Sequence, residues 1–135
     1  MKYDDFLKQE QTSKPRRRPR HLEDELQIAC VQWFDMQYHD ISRYLHHSPN
    51  GGKRSKVEAA IFKAMGVRAG FPDLLLFYPG KFYHMMGIEL KAGKGRQSEA
   101  QKEYQELFER IGAKYAVVRS LDEFIKIVKN YFADL

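Results

Sequence analysis

Residues 71–91 constrain the fold more than any other part of the chain, because they contain two short apolar runs separated by turn-forming residues. The first run ends at Pro79-Gly80, a typical turn signal, so the stretch predicts a β-hairpin. A loop centred between the runs brings Asp73 opposite Glu89 in antiparallel pairing, although a slip of one residue would change this register. Strand alternation puts Glu89 and Lys91 on one face. The sequence therefore predicts two carboxylates and an ammonium group close together.

These three charged groups admit two interpretations. Two carboxylates at close range repel each other unless a cation lies between them, and Mg²⁺ suits that place because it prefers oxygen ligands and takes one or two protein carboxylates. A lysine beside it would stabilise charge on a phosphate or orient the attacking water. In the other interpretation the hairpin is ordinary, so that Asp73 caps a strand and Glu89 pairs with Lys91.

The composition sets bounds on the class of protein. With 135 residues, of which 43% are hydrophobic, the chain predicts one domain with a real core. The net charge of +5 favours a polyanionic partner, although most of the excess lies in one segment. The single cysteine, Cys30, excludes a disulfide framework or a cysteine zinc site within one chain. The apolar runs are too short for a bilayer span and no signal peptide is recognisable, so we expect a soluble cytoplasmic protein without membrane contact.

The first 20 residues differ from the rest of the chain. They are polar, and the segment from Lys14 to Arg20 carries five positive charges beside two prolines. We expect residues 1–20 to form a flexible basic arm without helix or strand, and residues 21–135 to form the folded domain. In the arm, Arg16, Arg17 and Arg18 would contact phosphates. A solubilising leader or an extension packed on a partner subunit would explain the same residues.

A helical pattern follows the arm. Apolar residues at helical spacing predict a first helix over about residues 22–38. Glu23, Asp24 and Glu25 would lie in its first turn, where the helix dipole favours negative charge, and this is a sufficient structural reason for all three. Glu23 also borders the apolar stripe on the face of Gln27. From that border its carboxylate would reach a site beside the sheet.

Two more elements are predicted before the hairpin. Residues 43–47 favour a first strand, and residues 55–65 favour a second helix with its apolar residues on one side. The surroundings of this helix are basic, with Lys53, Arg54, Lys56, Lys63 and Arg68. Such charges usually form a solvated face, but here they directly precede the acidic cluster and would neutralise phosphates that approach it.

A basic loop and a helix are predicted after the hairpin. The loop at 92–97 contains Lys94 and Arg96. Ser98 and Gln101 have the spacing of a capping box, which gives Gln101 a structural role as the alternative to a place in the active site. The residues of this helix expected to be buried are Tyr104, Leu107, Phe108 and Ile111.

The end of the chain predicts a strand and a closing amphipathic helix. Residues 115–118 are apolar enough for a buried strand. Ser120 and Glu123 repeat the capping-box spacing at the start of the helix.

Several motifs occur in a fixed order along residues 22–125. The most characteristic are GVRAGFPD at 66–73, IELK at 88–91 and GRQSEAQ at 95–101; the others are Glu23-x-x-x-Gln27, Pro49-Asn50-Gly51-Gly52, Gln101-Lys102 and Val117-Val118-Arg119-Ser120. With these motifs in this order, the chain resembles the PD-(D/E)xK nuclease superfamily and, more narrowly, its stand-alone VRR-NUC family. The resemblance implies an α/β fold with a restriction-endonuclease-like core, in which helices flank a small mixed β-sheet.

The resemblance also implies a Mg²⁺- or Mn²⁺-dependent phosphodiesterase that acts on DNA. Asp73, Glu89 and the backbone carbonyl of Leu90 would be metal ligands, and Lys91 the catalytic lysine. Glu23 would be an accessory acid, in competition with Glu25, and Gln101 a helix-borne glutamine near the site. The residues expected to contact DNA are Lys53, Arg54, Arg68, Lys94 and Arg96, together with Arg16, Arg17 and Arg18 of the arm.

The resemblance leaves the substrate open. Stand-alone members are associated with branched DNA, including four-way junctions, and often form dimers, so we expect a structure-selective endonuclease that acts as a homodimer. One alternative is a nuclease for linear, flapped or single-stranded DNA. The other is a nucleic-acid-binding module that keeps the fold without turnover.

Overall fold

A computed structural model describes residues 19–49 and 55–134. The described helices are α1 (Pro19–Gln37), a 3₁₀ helix (His39–Tyr44), α2 (Lys56–Ala64), α3 (Glu99–Arg110) and α4 (Leu121–Phe132). The described strands are β1 (Leu45–His47), β2 (Leu74–Leu76), β3 (Met86–Leu90) and β4 (Lys114–Val118). None of these helices is long and apolar enough to cross a membrane.

The strands form one mixed sheet in the order β1-β2-β3-β4. The pairs β1–β2 and β2–β3 are antiparallel, whereas β3 and β4 are parallel. A parallel pair needs a crossover connection, and α3 provides it. The small mixed sheet flanked by helices, predicted from the sequence, is confirmed.

The predicted hairpin register is also confirmed. Leu74 pairs with Ile88 in the antiparallel ladder of β2 and β3. Extending this pairing to the residue just before β2 brings Asp73 opposite Glu89. The two acids therefore lie at the end of the sheet where β2 begins and β3 ends.

The two faces of the sheet are covered unequally. Helices α1 and α4 pack on one face and form the main core with the even-numbered residues of β2 and β3; this core contains Cys30, Phe34, Leu74, Leu76, Met86, Ile88, Leu90, Ala116, Val118, Phe124, Val128 and Tyr131. On the other face α3 covers a smaller cluster of Phe108, Ala113 and Tyr115. By strand alternation, Asp73, Glu89 and Lys91 belong to this smaller face.

The first helix begins earlier than predicted. It starts at Pro19, so the expectation that residues 1–20 contain no helix is wrong for the last two of them. Proline is tolerated in the first helical turn because its missing N–H has no partner there in any case. The first turn contains no acidic residue. The prediction that Glu23, Asp24 and Glu25 stabilise it is therefore wrong, and Glu23 needs another explanation. Residues 1–18 of the predicted arm lie outside the described residues.

Two predicted apolar faces are not buried. Helix α2 contains no buried residue, and Val57, Ile61 and Met65 are exposed along it. In α3, Phe108 is buried but Leu107 and Ile111 are exposed, contrary to prediction. Of the described helices only α3 packs against the smaller cluster, and Leu107 and Ile111 lie at the flanks of its apolar stripe, where nothing described covers them. The first strand is also shorter than predicted, because its first two residues belong to the 3₁₀ helix.

Candidate active site

The loop before β2 places Asp73 at the edge of the smaller face. Gly70 has a φ of 85°, a backbone conformation that L side chains rarely adopt. A Cβ atom at Gly70 would lie 2.5 Å from the carbonyl carbon of Ala100, so only glycine lets this loop pack against the start of α3. Pro72 is buried next to it. This close packing explains the Gly-Phe-Pro-Asp sequence and fixes where β2 starts.

Asp73 is held on two sides. Its Oδ2 accepts a 2.7 Å hydrogen bond from the backbone N–H of Leu90, and so takes the place of a strand carbonyl just before β2 begins. The backbone carbonyl of Asp73 accepts a 2.7 Å hydrogen bond from Nδ1 of His47, at the end of β1. Three strands therefore meet at this one residue.

Glu89 is the buried acid of the site. Its side chain is 0% exposed, which is rare for a glutamate without a charged partner. The hydroxyl of Tyr115 donates a 2.7 Å hydrogen bond to its Oε1. Its Oε2 is buried and has no hydrogen-bond partner among the described residues. A buried oxygen in this state is costly unless another group, absent from the protein chain, satisfies it.

The parallel register explains how Tyr115 reaches Glu89. Tyr115 pairs with Gly87, two residues before Glu89 on the same face of β3. A Cβ atom at Gly87 would lie 2.6 Å from the ring of Phe108, so this glycine makes room for the side chain that closes the smaller core. The phenol of Tyr115 can then extend along the sheet to the carboxylate.

Gln97 completes the surroundings of Glu89. Its Nε2 donates a 2.9 Å hydrogen bond to Oε1 of Gln105 on α3. Its side chain also lowers the pKa of Glu89 and that of Tyr115. The loop after β3 is thus connected through one side chain to both α3 and the buried acid.

The charges of the site act on one another. Burial raises the pKa of Asp73, and the bond from Leu90 together with the charge of Lys91 opposes this rise. Burial also raises the pKa of Glu89, which Tyr115 and Lys91 lower and Asp73 raises further. Both acids therefore hold their protons more strongly than free carboxylic acids do, as expected for partly desolvated acids near one another.

Helix α1 brings a third acid to the cluster. Burial raises the pKa of Glu23; Lys91 lowers it, and Asp73, Asp24 and Glu89 raise it further. Glu23 is therefore within electrostatic reach of all three residues predicted for the site. The choice between Glu23 and Glu25 as the accessory acid stays a prediction.

The donor set fits a hard divalent cation. No group of three or more His, Cys, Asp and Glu side chains with metal-binding geometry occurs in residues 19–49 and 55–134. The predicted set has two carboxylates, of Asp73 and Glu89, and one backbone oxygen, which is the pattern of Mg²⁺ sites that keep several waters. Among the described residues, the buried and unpartnered Oε2 of Glu89 is an oxygen that such a cation would satisfy.

The structural interpretation of Gln101 is confirmed. Its Oε1 accepts a 2.8 Å hydrogen bond from the backbone N–H of Ser98, and its own N–H donates to the Ser98 hydroxyl, so the capping box is complete. Its place in the active site stays a prediction. The side-chain amide that interacts with Glu89 belongs instead to Gln97.

The predicted DNA contacts are described only in part. Arg68, Lys94 and Arg96 are exposed on the loops that flank the site. The five others, Lys53, Arg54, Arg16, Arg17 and Arg18, lie outside the described residues.

Four residues near the site were missed from the sequence. They are Asp24, His47, Gln97 and Tyr115. The histidine had a weak signal, since it is the last residue of the predicted first strand. The tyrosine had none, because nothing local specifies the parallel register of β3 and β4.

Comparisons with known proteins agree with this architecture. A family model described as the VRR-NUC domain matches residues 7–122, and so begins inside the segment predicted as an arm. Two solved chains match. One of them, described as a VRR_NUC domain protein, is 34% identical and superposes with a TM-score of 0.72 over 83% of this chain and 88% of that chain. No curated protein sequence matches.

Proposed function

The chain belongs to the VRR-NUC family of nuclease-type domains, and from this premise we propose that it is a metal-dependent endonuclease that hydrolyses phosphodiester bonds in DNA. One observation carries the proposal. The carboxylate of Glu89 is fully buried with its Oε2 unpartnered among the described residues, opposite Asp73. Both acids have raised pKa values because of their burial. A divalent cation relieves the unfavourable energy of both.

The proposed metal ligands are Asp73, Glu89 and the backbone carbonyl of Leu90. In a strand the N–H and C=O of one residue point towards the same neighbouring strand. The N–H of Leu90 points to Asp73, whereas that of Lys91 donates to Val118 on the opposite neighbour. The carbonyl of Leu90 is thus expected on the side of Asp73, where a third oxygen ligand is needed.

When bound, Mg²⁺ or Mn²⁺ supplies Lewis-acid polarisation of the phosphate and lowers the pKa of a coordinated water. Lys91 lies on the face of Glu89, where its ammonium group places positive charge against the phosphate as negative charge develops. Glu23, from α1, would hydrogen-bond and orient the attacking water. Gln101 keeps its capping role in this proposal and adds its amide group to the edge of the site.

The proposed DNA surface surrounds this cluster. Arg68 on one loop and Lys94 and Arg96 on another are exposed and would bind phosphates on either side of the cleaved bond. Lys53, Arg54 and the arm residues Arg16, Arg17 and Arg18 would extend the contact. Phosphate neutralisation of this kind makes binding strong at low salt and weak at high salt.

The proposed substrate is branched DNA, with four-way junctions as the main candidate, cut by a homodimer. A junction needs two paired incisions, and each chain carries one candidate cluster. The exposed apolar side of α2, formed by Val57, Ile61 and Met65, supports this part of the proposal, since these residues make no core contact with the rest of the described residues. We propose that a second copy of the chain covers it.

A cleavage assay tests the proposal. Labelled linear, flapped and four-way-junction DNAs are incubated with the protein in Mg²⁺, Mn²⁺ or chelator. Cleavage is expected only when Mg²⁺ or Mn²⁺ is present, and it should be fastest on the four-way junction. Cleavage of linear DNA at the same rate contradicts the branched preference only, whereas binding without cleavage in any metal indicates a non-catalytic module.

A further inference from the structure

A basic pocket lies beside the acidic cluster, and of its lining residues only Arg96 is among the DNA contacts proposed above. It is open to solvent and has a volume of about 490 Å³. Its lining residues are Arg96, Gln97, Lys102, Val117, Arg119 and Glu123.

The pocket adjoins the buried acid directly. Val117 is the register partner of Glu89, so the two side chains point to the same face of the sheet. Gln97 lines the pocket on one side and interacts with Glu89 on the other. A group held in the pocket would therefore lie next to the proposed cleavage site, on the side of Gln97.

The charge of the pocket is positive. Its lining contains three cations and one carboxylate. That carboxylate, of Glu123, is engaged at the start of α4, where its Oε2 accepts a 2.7 Å hydrogen bond from the backbone N–H of Arg119. The predicted capping box is thus only half formed, because the hydroxyl of Ser120 accepts from Glu123 but the acid bonds to Arg119 instead of Ser120.

The cations differ in how they are held. The guanidinium of Arg119 donates a 2.9 Å hydrogen bond to the carbonyl of Gly93, and this bond fixes the guanidinium against the loop after β3. Lys102 has one ion pair with Glu99 at 3.4 Å, and both side chains are mostly exposed, so this pair is weak. In the part of the chain that the structure describes, the guanidinium of Arg96 has no ion pair or hydrogen bond. One cation is thus preorganised and two are available.

We propose that this pocket binds a phosphate group of the nucleic acid other than the phosphate at the cleavage site. Two guanidinium groups and an ammonium group around a concave opening suit a phosphate, since arginine binds phosphate oxygens through paired N–H donors. Val117 is the single apolar residue of the lining, which leaves little surface for stacking a base. The phosphate is either an internal phosphodiester or the terminal phosphate of a strand. The inference rests on the proposed function for its substrate class.

The test compares two double variants with the same change of charge. Arg96→Gln with Lys102→Gln removes the two available cations and leaves Arg119 in place. Arg110→Gln with Lys129→Gln is the control, because both residues are exposed in the last turns of α3 and α4, away from the pocket. Fluorescence anisotropy measures the affinity of each protein for oligonucleotides with a 5′-phosphate, a 3′-phosphate or hydroxyl ends, in chelator and over a series of salt concentrations.

The pocket variant is expected to bind more weakly than the control, and its salt slope should fall by about 2, or about 1 for each cation that no longer neutralises a phosphate. A weakening restricted to one phosphorylated end identifies a terminal phosphate, and a uniform weakening identifies an internal one. Equal weakening in both double variants, or no binding of DNA by the parent protein, overturns the inference. Because no cleavage occurs in chelator, a parent that binds DNA but fails to cut it contradicts the proposed function without affecting this result.

Discussion

The hydroxyl of Tyr115 donates a 2.7 Å hydrogen bond to Oε1 of Glu89, and both side chains are buried. This bond occupies one carboxylate oxygen and fixes the orientation of the group, which leaves Oε2 as the oxygen without a partner in the described chain. Burial and the bond to Glu89 raise the pKa of Tyr115, so the phenol stays a neutral donor. Tyr115 therefore orients the carboxylate of Glu89, the proposed metal ligand, and is not itself among the proposed ligands.

Tyr115→Phe tests this role. Partners that orient metal ligands are typically worth 10- to 100-fold in metal affinity, so the variant should bind Mn²⁺ about 10-fold more weakly in calorimetric titration. Tyr104→Phe is the control, since it removes a hydroxyl from the same face that makes no bond to Glu89. Equal metal affinity in the two variants would show that the ligand needs no orientation from the phenol.

Asp73→Asn and Glu89→Gln should each abolish cleavage, because either change removes a charged ligand from the proposed cation. Both variants should fold and bind DNA at least as tightly as the parent, since each removes negative charge that faces the phosphates. Single-turnover cleavage and anisotropy measure the two properties. Cleavage at more than a few per cent of the parental rate in either variant contradicts the ligand assignment.

Glu89→Gln should also stabilise the metal-free protein at neutral pH. Burial raises the pKa of Glu89 above its ordinary value of 4.5, so the folded state binds this proton more strongly than the unfolded state. The contribution of Glu89 to stability is then present below 4.5 and is lost as the pH rises through the raised folded value. The glutamine does not titrate, so the advantage of the variant should grow from pH 4 to pH 7.5.

Urea denaturation in chelator at several pH values measures this difference. Glu106→Gln, an exposed change on α3, is the control and should show no such growth with pH. Added Mn²⁺ should make the parent more stable than Glu89→Gln. A ligand at 100 times its Kd stabilises the protein that binds it by about 2.7 kcal/mol, and the variant lacks the site. A pH-independent difference between Glu89→Gln and the parent argues against a desolvated carboxylate.

Lys91→Met should reduce turnover far more than DNA affinity. The methionine keeps an apolar stem, but the ammonium that stabilises charge in the transition state is gone, so a reduction on the order of 10²-fold in single-turnover rate is expected. Lys94→Met, on the exposed loop, should have the opposite effect: it should weaken DNA binding and leave the single-turnover rate at saturating protein unchanged. Equal reductions of rate and affinity at Lys91 would make it a phosphate anchor.

Ile61→Glu should dissociate the proposed dimer without unfolding the chain. Ile61 is 52% exposed on a helix that has no buried residue, so the charge has no core to disrupt. Sedimentation velocity at micromolar concentration measures the oligomeric state. Met36→Glu, at a residue 84% exposed on α1, is the control and should remain dimeric. A parent protein that sediments as a monomer, with and without junction DNA, contradicts the homodimer.

Local sequence determined the parts of this protein that depend on neighbours in the chain. The hairpin register follows from two apolar runs and the loop between them, and it brings Asp73 opposite Glu89. The cap of α3 follows from Ser98 and Gln101, three residues apart. These features need no information beyond the periodicity of one strand or the first turn of one helix, which is why they were predictable.

Only the tertiary structure decided which of these residues are buried and which are connected. Tyr115 and Glu89 are 26 residues apart, and their bond depends on a parallel register that is set when α3 packs across the sheet. The apolar side of α2 has the same helical period as a buried stripe but remains exposed, because no layer of the described chain covers it. Desolvation and packing depend on segments that are distant in sequence. A local pattern can therefore indicate an amphipathic helix, but it does not specify which segment covers the apolar side. It can likewise indicate an acid pair, but it does not specify which groups satisfy the carboxylates.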